Sequence, residues 1–425
     1  MKSKSKLSIL FLLFVFACTV FSSCAWLSGY GGLRHKVISS SEKTCAVINI
    51  DNKDKKEITI PRSINGYKVI KIGGLNDCFA LESVKIPDTV IEIGGGTFQG
   101  CIALESITIP DSVEKIGSRA FSKCESLKSI VIPNGVTEIS NNTFEYCTSL
   151  KSIVIPDSVT EIGEYAFVGC TSLETIVIPD SVTQIGNWAF YGCTSLKSVT
   201  LSKNLWELGS SSFVGCTSLT DVVIPEGVQN LSIGDRAFSG CTSLTNINIP
   251  DGVTFIRETA FEYCTNLKNV TLGKDIMVIG PGAFYECVSL ESITLPDRVD
   301  VLSNTALYGC TSLKDVHLGK VWGIEYYTFS GCTSLTSITL PDTVKMIDER
   351  AFDGCTSLVS INIPVSVTEI RGEVFFGCSS LTSIHYGGTK EEWLKIEISS
   401  DWDKGLDNYT VYCTNGIISN SDIVS

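Results

Sequence analysis

The chain has 425 residues and a formal net charge of −13 at pH 7, with a sequence pI near 4.8. This acidic balance argues against nucleic acid and against an anionic membrane surface as binding partners. The length alone would fit two or three globular domains, but the chain contains an internal repeat, which favours one elongated domain.

The first 24 residues have the pattern of an export signal. Three lysines among the first six residues precede an apolar run over residues 7–20, which is short for a membrane-spanning helix. The run leads into Phe21-Ser22-Ser23-Cys24, which resembles a bacterial lipobox with a small residue just before the cysteine. We therefore predict a signal peptide with a lipobox over residues 1–24 and lipidation of Cys24.

Two alternatives remain open for this segment. An ordinary signal peptidase could cleave after Ala25, and an earlier sequence similar to a lipobox ends at Cys18. Residues 25–44 contain three glycines and a serine run, a composition that predicts a flexible tether.

Residues 45–77 do not follow the repeat, although Ala46–Ile50 and Ile58–Pro61 have the character of strands. The first coil of a stacked array exposes half of its core unless a cap covers it. We therefore predict that residues 45–77 form an N-terminal cap with irregular first coils.

Residues 78–388 repeat with a regular period. Thirteen intervals separate the fourteen cysteines of this region, and eleven of these intervals are 23 residues long. Two residues are inserted between Cys216 and Cys241, and one is missing between Cys310 and Cys332. A period of this length is typical of a solenoid in which each repeat forms one coil.

Each repeat predicts a short strand, a turn and a second short segment. In one repeat, the alternation of Ile176 and Ile178 with polar residues is typical of a strand with one buried face. Pro179 lacks a backbone donor and ends that strand. A single coil buries too little apolar surface to offset its lost backbone entropy, so the coils must stack in a parallel ladder.

One phenylalanine recurs three residues before the next cysteine in almost every coil. We predict that these rings form one buried column beside the cysteines. They are Phe98, Phe121, Phe144, Phe167, Phe190, Phe213, Phe238, Phe261, Phe284, Phe329, Phe352 and Phe375.

Residues 389–425 leave the repeat and predict a C-terminal cap. Thr389 and Glu392 have the spacing of a helix capping box, and residues 409–413 have the character of a closing strand. A docking surface is the alternative for this tryptophan-bearing segment. The apolar face of the predicted helix comprises Trp393, Leu394 and Ile396.

The repeat resembles that of the BspA-like (treponemal-type) leucine-rich repeat family, on the motif Leu-x-x-Ile-x-Ile-Pro-Asp-Ser-Val-Thr-x-Ile-Gly-x-x-Ala-Phe-x-Gly-Cys-Thr-Ser, over about residues 47–418. The resemblance implies an α/β-type repeat solenoid, mostly β: a curved leucine-rich-repeat array of 23-residue coils with a parallel sheet on its concave face. It also implies an exported or surface-attached protein that acts in adhesion or host-protein binding, without catalytic residues. The chain departs from the motif at Ser202, Gly273, Gly319 and Gly387, which replace proline, and at Leu307, which replaces phenylalanine.

The repeat cysteines predict buried, reduced thiols. Their spacing contains no Cys-x-x-Cys pair with a histidine nearby, which argues against zinc, and we expect no cofactor. Thiols in adjacent coils would lie about 5 Å apart, and exported proteins usually oxidise such cysteines, so disulfides are the alternative. Side chains stacked in parallel do not point at one another, which favours the reduced form.

The histidines do not support a catalytic site. His317 and His385 occupy the same strand position three coils apart, so roughly 15 Å separates them, and His35 belongs to the predicted tether. The chain contains no Gly-x-Ser-x-Gly, Walker or His-Glu-x-x-His motif. We therefore expect no enzyme activity.

The strand positions five and seven residues after each cysteine are expected to face outward. They are mostly Ser, Thr and Val, which also suit any solvent-exposed strand. This uniform pattern breaks between Asp221 and His317, which makes the segment our candidate for ligand binding. The candidate residues are Asp221, Asn246, Asn248, Asn269, Thr271, Ser292, Asp315 and His317. Loops bearing Trp188, Tyr191 and Tyr285 are the second candidate surface.

These observations predict an exported, surface-tethered binding protein or adhesin that recognises a macromolecule, either a protein or a glycan of a host or neighbouring cell. We expect a monomer held by a lipid anchor at the bacterial cell surface or outer membrane, with secretion as the alternative location. The alternative function is a structural envelope or spacer protein without a specific ligand.

Overall fold

The computed structural model describes residues 27–28 and 31–419. The export signal, Cys18 and Cys24 therefore lie outside the described residues. Among the residues described, no helix has the length and apolar character required to cross a membrane.

Successive coils place two short strands in parallel ladders, which confirms the predicted, mostly β solenoid. The first strand of each coil follows the repeat cysteine, and the second strand follows the turn that begins at the proline position. The first strands are Ser83–Lys85, Ser106–Ile107, Ser129–Val131, Ser152–Val154, Thr175–Val177, Ser198–Thr200, Asp221–Val223, Asn246–Ile249, Asn269–Leu272, Ser292–Thr294, Asp315–His317, Ser337–Thr339, Ser360–Ile363 and Ser383–Tyr386. The second strands are Glu92–Ile93, Lys115–Ile116, Glu138–Ile139, Glu161–Ile162, Gln184–Ile185, Glu207–Leu208, Leu231–Ile233, Val253–Ile256, Val278–Ile279, Val301–Leu302, Gly323–Ile324, Met346–Ile347 and Glu369–Ile370.

The turn before each cysteine also links neighbouring coils through the backbone. The amide of Phe167 donates to the carbonyl of Ala189, with 2.7 Å between N and O, and Phe190 repeats the bond to Ser212 at 2.8 Å. Each coil therefore satisfies its backbone donors from the next coil at this turn as well as in the strands. This explains how a coil with such short strands holds its register.

The phenylalanines form the predicted buried column. All twelve are fully buried, and the rings of neighbours stack face to face, as at Phe190, whose centroid is 5.0 Å from those of Phe167 and Phe213. Leu307 interrupts the aromatic stack between Phe284 and Phe329 but is itself fully buried, so it fills the column with an aliphatic side chain.

The repeat cysteines lie beside this column. They are buried, and no disulfide joins them. From Cys101 to Cys378, each thiol donates a hydrogen bond to a backbone carbonyl of an earlier coil, as Cys170 does to Phe144 at 3.2 Å. Each of these thiols therefore satisfies a buried backbone carbonyl of an earlier coil. Cys45 and Cys413, at opposite ends of the array, are also free.

The N-terminal segment differs from the predicted flexible tether over residues 25–44. Leu33–Ser39 is a strand that pairs antiparallel with Thr44–Ile50. The short strand Leu27–Ser28 pairs antiparallel with Leu33–Ser39 on its other edge. Leu33 and His35 alternate inward along this strand, a period-2 pattern that glycine and serine content alone had concealed. This part of the chain therefore belongs to the N-terminal cap.

Two of the remaining strands of this cap pair parallel with strands of the array. Thr44–Ile50 pairs parallel with Tyr67–Ile72, which in turn pairs with the first of the second strands. Its other strands are Glu57–Thr59, which pairs parallel with Ser83–Lys85, and Ser63–Ile64, which forms an antiparallel hairpin with Tyr67–Ile72.

The C-terminal cap contains the predicted capping box. Thr389 Oγ1 accepts from the Glu392 amide, the Glu392 carboxylate accepts from the Thr389 amide, and a single helical turn, Lys390–Trp393, follows. Trp393 and Ile396 are buried, but Leu394 is 74% exposed because so short a helix buries one side only. The other strands of the cap are Glu397–Ile398, Thr410–Cys413 and Gly416–Ser419.

Replacement of the turn proline changes the coil mainly at Gly319. At Ser202 and Gly273 the carbonyl still accepts the closing hydrogen bond from the amide three residues on, at 3.4 Å, the same distance as at Pro250. Gly319 instead has φ 57°, in the left-handed region that favours glycine. This is the coil that lacks one residue, so the shorter turn requires the unusual backbone conformation.

Candidate functional site

The first strands present one row of side chains to the core and two rows to solvent. In Asp221–Val223, Ser292–Thr294 and most other first strands, the central residue is buried and both its neighbours are exposed. This follows from the two-residue period of a strand whose one face lies on the core. All eight candidate residues are exposed, as the sequence predicted.

Strand pairing brings seven of the candidate residues together in one four-stranded sheet, Asn246 to His317. Asn246 lies opposite Asn269, which lies opposite Ser292, which lies opposite Asp315. Asn248 lies opposite Thr271 in the adjacent row, and His317 lies opposite Thr294.

Asp221 is separated from this group. Its strand closes the preceding three-stranded sheet, where Asp221 lies opposite Ser198. The two-residue insertion between Cys216 and Cys241 falls between the two sheets, in the coil where the ladder stops. Asp221 therefore borders the candidate site without being part of the same ladder.

Two asparagines of the site, Asn246 and Asn269, are joined by a hydrogen bond across neighbouring strands. Asn269 Nδ2 donates to Asn246 Oδ1 at 2.7 Å, and Asn246 Nδ2 donates to Thr245 Oγ1 at 2.9 Å. These amides are fixed in orientation and still expose further donors and acceptors to solvent. They form a preorganised polar surface.

A depression of about 450 Å³ opens at the C-terminal end of this sheet. The strand Asp315–His317 is the last strand of this sheet. It does not pair with the first strand of the next coil, Ser337–Thr339, which begins another sheet. The shortened turn at Gly319 lies in the same coil and lines the depression. Its polar lining includes Ser292, Thr294, Asp315, His317, Ser337 and Thr339, above an apolar floor.

Sequence reasoning did not select Ser337 and Thr339, because both fit the ordinary Ser/Thr pattern of the outward rows. The signal that could have found them is the missing residue between Cys310 and Cys332, which marks the coil where the ladder opens.

The histidines lie in three unrelated surroundings. His317 is exposed beside the depression, and His385 is exposed with its ring stacked on Tyr412 at 5.0 Å. His35 is buried in the N-terminal strand rather than in a tether, and its Nδ1 has no hydrogen-bond partner within residues 31–419. The same part of the chain contains no group of three or more His, Cys, Asp or Glu side chains arranged to hold a metal ion.

The aromatic residues of the second candidate surface fall into two groups. Trp188 stacks on Tyr165 at 5.1 Å, whereas Tyr285 stacks on Tyr308 at 4.7 Å several coils away. Tyr191 is 44% exposed. The structure therefore does not unite the three loop aromatics in one surface.

Comparison with known proteins identifies the repeat. The family model described as BspA type leucine rich repeat region (6 copies) matches residues 68–193, 137–232, 231–322 and 318–393. The chain belongs to this family. The BspA-type repeat accounts for the buried columns of phenylalanine, cysteine, leucine and isoleucine, which are packing positions.

Two solved structures are similar to this chain. A leucine-rich repeat protein from Bacteroides ovatus is 28% identical, with a TM-score of 0.64, and the match covers 89% of this chain and 98% of that one. A leucine rich cell surface protein from Faecalibacterium prausnitzii is 28% identical, with a TM-score of 0.41, and the match covers 88% and 97% of the two chains. No curated protein matches the chain.

Proposed function

We propose that this protein is an exported, surface-tethered binding protein or adhesin, which recognises a host protein or glycan through the outward face of its first strands. One observation carries the proposal: seven exposed polar side chains, from Asn246 to His317, lie together in one sheet beside a depression. The apolar positions of the repeat are buried as packing positions, which leaves the exposed strand positions available to contact a ligand.

The ligand is a macromolecule that contacts several coils. The outward residues are small, and the depression is open to solvent, so affinity arises from many modest contacts over the sheet. Asn246 and Asn269 offer amide groups at one end of this surface, and Asp315 and His317 offer charged and imidazole groups at the other.

Anchoring is part of the same proposal. Lipidation of Cys24, which lies outside the described residues, would hold the array at the bacterial surface or outer membrane. Cys24→Ala should abolish incorporation of labelled fatty acid and release the protein from the membrane fraction. Cys18→Ala is the control, and loss of labelling in that variant instead would assign the lipid to the earlier cysteine.

The test of the binding surface begins with a pull-down of host extracellular proteins and glycans by the folded protein. A triple variant, Asn246→Arg with Asn269→Arg and Ser292→Arg, should abolish binding of the captured partner and leave the thermal transition nearly unchanged. Asn246→Ala alone should lower the affinity for the captured partner only slightly.

The matched control places the same three charges at the same strand position elsewhere. Ser129, Ser152 and Thr175 are exposed in earlier coils. Their triple arginine variant should bind as the wild type does. If the first triple variant also binds normally, the assignment to this sheet is wrong, and if no saturable partner is captured at all, the spacer function is favoured.

A further inference from the structure

Tyrosine rings contact one another along the turns that precede the repeat cysteines. Ring centroids are 5.7 Å apart between Tyr263 and Tyr285, 4.7 Å between Tyr285 and Tyr308, and 6.2 Å between Tyr308 and Tyr327. Tyr326 packs edge-on against Tyr327 at 4.2 Å. We call these five residues the tyrosine ladder: Tyr263, Tyr285, Tyr308, Tyr326 and Tyr327.

The tyrosine ladder is a surface feature that the fold does not require. Tyr263 is 47% exposed and Tyr326 is 40% exposed, so a large part of each side chain remains accessible to a partner. Tyr263 has φ 56° at the position just before the cysteine, which is glycine in many coils but Lys123 or Glu286 in others, so the fold does not require tyrosine there.

The C-terminal end of the ladder already holds cations of the chain itself. The Arg350 guanidinium lies 5.9 Å from the centroid of Tyr327 and 5.8 Å from that of Phe376, and it donates to Tyr327 Oη at 2.8 Å. Lys404 lies 5.7 Å from the Phe376 centroid. Both cations form ion pairs with Glu373, so the site combines aromatic rings with one carboxylate.

The other end of the ladder presents the same kinds of group without a cation. Glu262 and Glu286 are near Tyr285, and neither carboxylate forms an ion pair within residues 31–419. Burial, followed by the neighbouring Tyr308 and Tyr263 and then these two carboxylates, raises the pKa of Tyr285. This end of the ladder is therefore an electronegative aromatic surface.

We propose that Tyr263, Tyr285 and Tyr308, together with Glu262 and Glu286, bind a lysine- or arginine-bearing segment of a polypeptide partner. Charge complementarity selects this class of partner, because the surface offers carboxylates and tyrosine rings and the whole chain carries a net charge of −13. The chain supplies its own example, since Arg350 occupies an equivalent combination of tyrosine ring and glutamate.

The size of the surface fits a short extended segment. Glu262 and Glu286 lie in adjacent coils, which stack about 5 Å apart, and alternate side chains of an extended peptide lie about 7 Å apart. Two basic side chains of such a segment can therefore reach the two carboxylates while its backbone crosses the tyrosines. This surface is separate from the sheet residues Asn246 to His317, so it offers a second binding site.

The test uses a fluorescent decapeptide that carries two arginines separated by one serine, and a matched peptide with glutamine at both arginine positions. Fluorescence anisotropy should show saturable binding of the arginine peptide that weakens with added salt, and little binding of the glutamine peptide. Absence of binding by the wild-type protein, or equal binding of the two peptides, would overturn the proposal.

Conservative variants locate the binding. The double variant Glu262→Gln with Glu286→Gln should lower the affinity for the arginine peptide about tenfold or more. Both carboxylates become neutral while the shape of each side chain is kept. The control is Glu138→Gln with Glu161→Gln, which makes the same change of charge at exposed second-strand positions and should shift the affinity less than about twofold. An equal loss of peptide affinity in both double variants would mean that only the net charge of the protein matters. It would contradict the proposed site.

A separate arm distinguishes this inference from the proposed function. The triple arginine variant at Asn246, Asn269 and Ser292 should keep its affinity for the peptide apart from a general effect of added charge, which the control triple at Ser129, Ser152 and Thr175 measures. If only the first triple variant loses its affinity for the peptide, then the peptide binds the sheet, and the tyrosine ladder is not its site.

Discussion

The thiol of Cys193 donates a hydrogen bond to the backbone carbonyl of Phe167, with 3.2 Å between Sγ and O. The two residues belong to neighbouring coils, and the next coil repeats the bond from Cys216 to Phe190 at 3.3 Å. Each cysteine thus ties the turn of the coil before it to its own turn. The repeat uses cysteine as a small apolar side chain that can also satisfy a buried carbonyl.

We predict that these thiols resist alkylation in the folded protein. Burial raises the pKa of Cys193 to about 12, so almost none of it is thiolate at neutral pH, and its side chain is fully buried. Cys413 is half-buried, so it should react first among the cysteines from Cys45 to Cys413. Iodoacetamide labelling followed by peptide mapping measures the order.

The control for the labelling is the same reaction in denaturant, where all of these cysteines should react. Labelling of Cys193 in the folded protein as fast as Cys413 would contradict a continuous buried ladder. A disulfide between any two of the repeat cysteines in protein exported by its own host would contradict the reduced state.

Phe190 tests the aromatic column. Phe190→Ala should lower the free energy of unfolding by about 3–5 kcal/mol, because the substitution leaves a cavity between two stacked rings. The adjacent Tyr191→Ala, at a position 44% exposed, should change it by less than about 0.5 kcal/mol. Urea unfolding followed by circular dichroism measures the free energy of unfolding of both variants. Similar effects of the two substitutions would mean that the phenylalanine column does not stabilise the core.

Periodicity explains which structural features were predictable. A residue that recurs every 23 positions, such as Phe190 or Cys193, has the same surroundings in every coil, so its burial follows from the pattern. The sheet residues Asn246 and Asn269 were also predictable as exposed, because strand alternation fixes which side chains face solvent.

The less predictable features arise where the period fails or where partners lie far apart in sequence. The tyrosine ladder combines different repeat positions, since Tyr263 is one residue before its cysteine and Tyr285 is two before its own. Arg350 and Lys404 meet at Glu373 from opposite directions along the chain, a contact that no local pattern indicates. The strand Leu33–Ser39 was missed because its glycine-rich and serine-rich flanks dominate the local composition.

Thr389 tests the C-terminal cap. Thr389→Ala removes the oxygen that accepts from the Glu392 amide and should destabilise the cap by about 1 kcal/mol, whereas Thr389→Ser should keep most of the stability. Amide hydrogen exchange around Trp393 and Trp402 should report faster local opening in the alanine variant alone. Equal exchange rates in the two variants would mean that packing of Trp393, without the capping box, holds this end.

Glu373 tests the ion cluster at the end of the tyrosine ladder. The ion pairs with Lys404 and then Arg350 hold the pKa of Glu373 below its ordinary value, although partial burial opposes them. Because the folded pKa is depressed, the stabilisation is fully present above the unfolded pKa of about 4.3 and is lost as the pH falls through the folded pKa. The difference in unfolding free energy between wild type and Glu373→Gln should therefore be largest near neutral pH and shrink in acid.

Glu174→Gln is the matched control for this pH dependence. Glu174 also forms an ion pair, with Lys197, and its pKa is likewise lowered. However, the side chain of Glu174 is 50% exposed and that of Lys197 is 61% exposed. Solvent screens such a surface pair, so its loss should change stability little at any pH. Unfolding in urea at several pH values separates the two cases. If Glu373→Gln is as mild as Glu174→Gln, then packing of Arg350 on Tyr327 and Phe376, rather than its carboxylate partner, fixes the arginine in place.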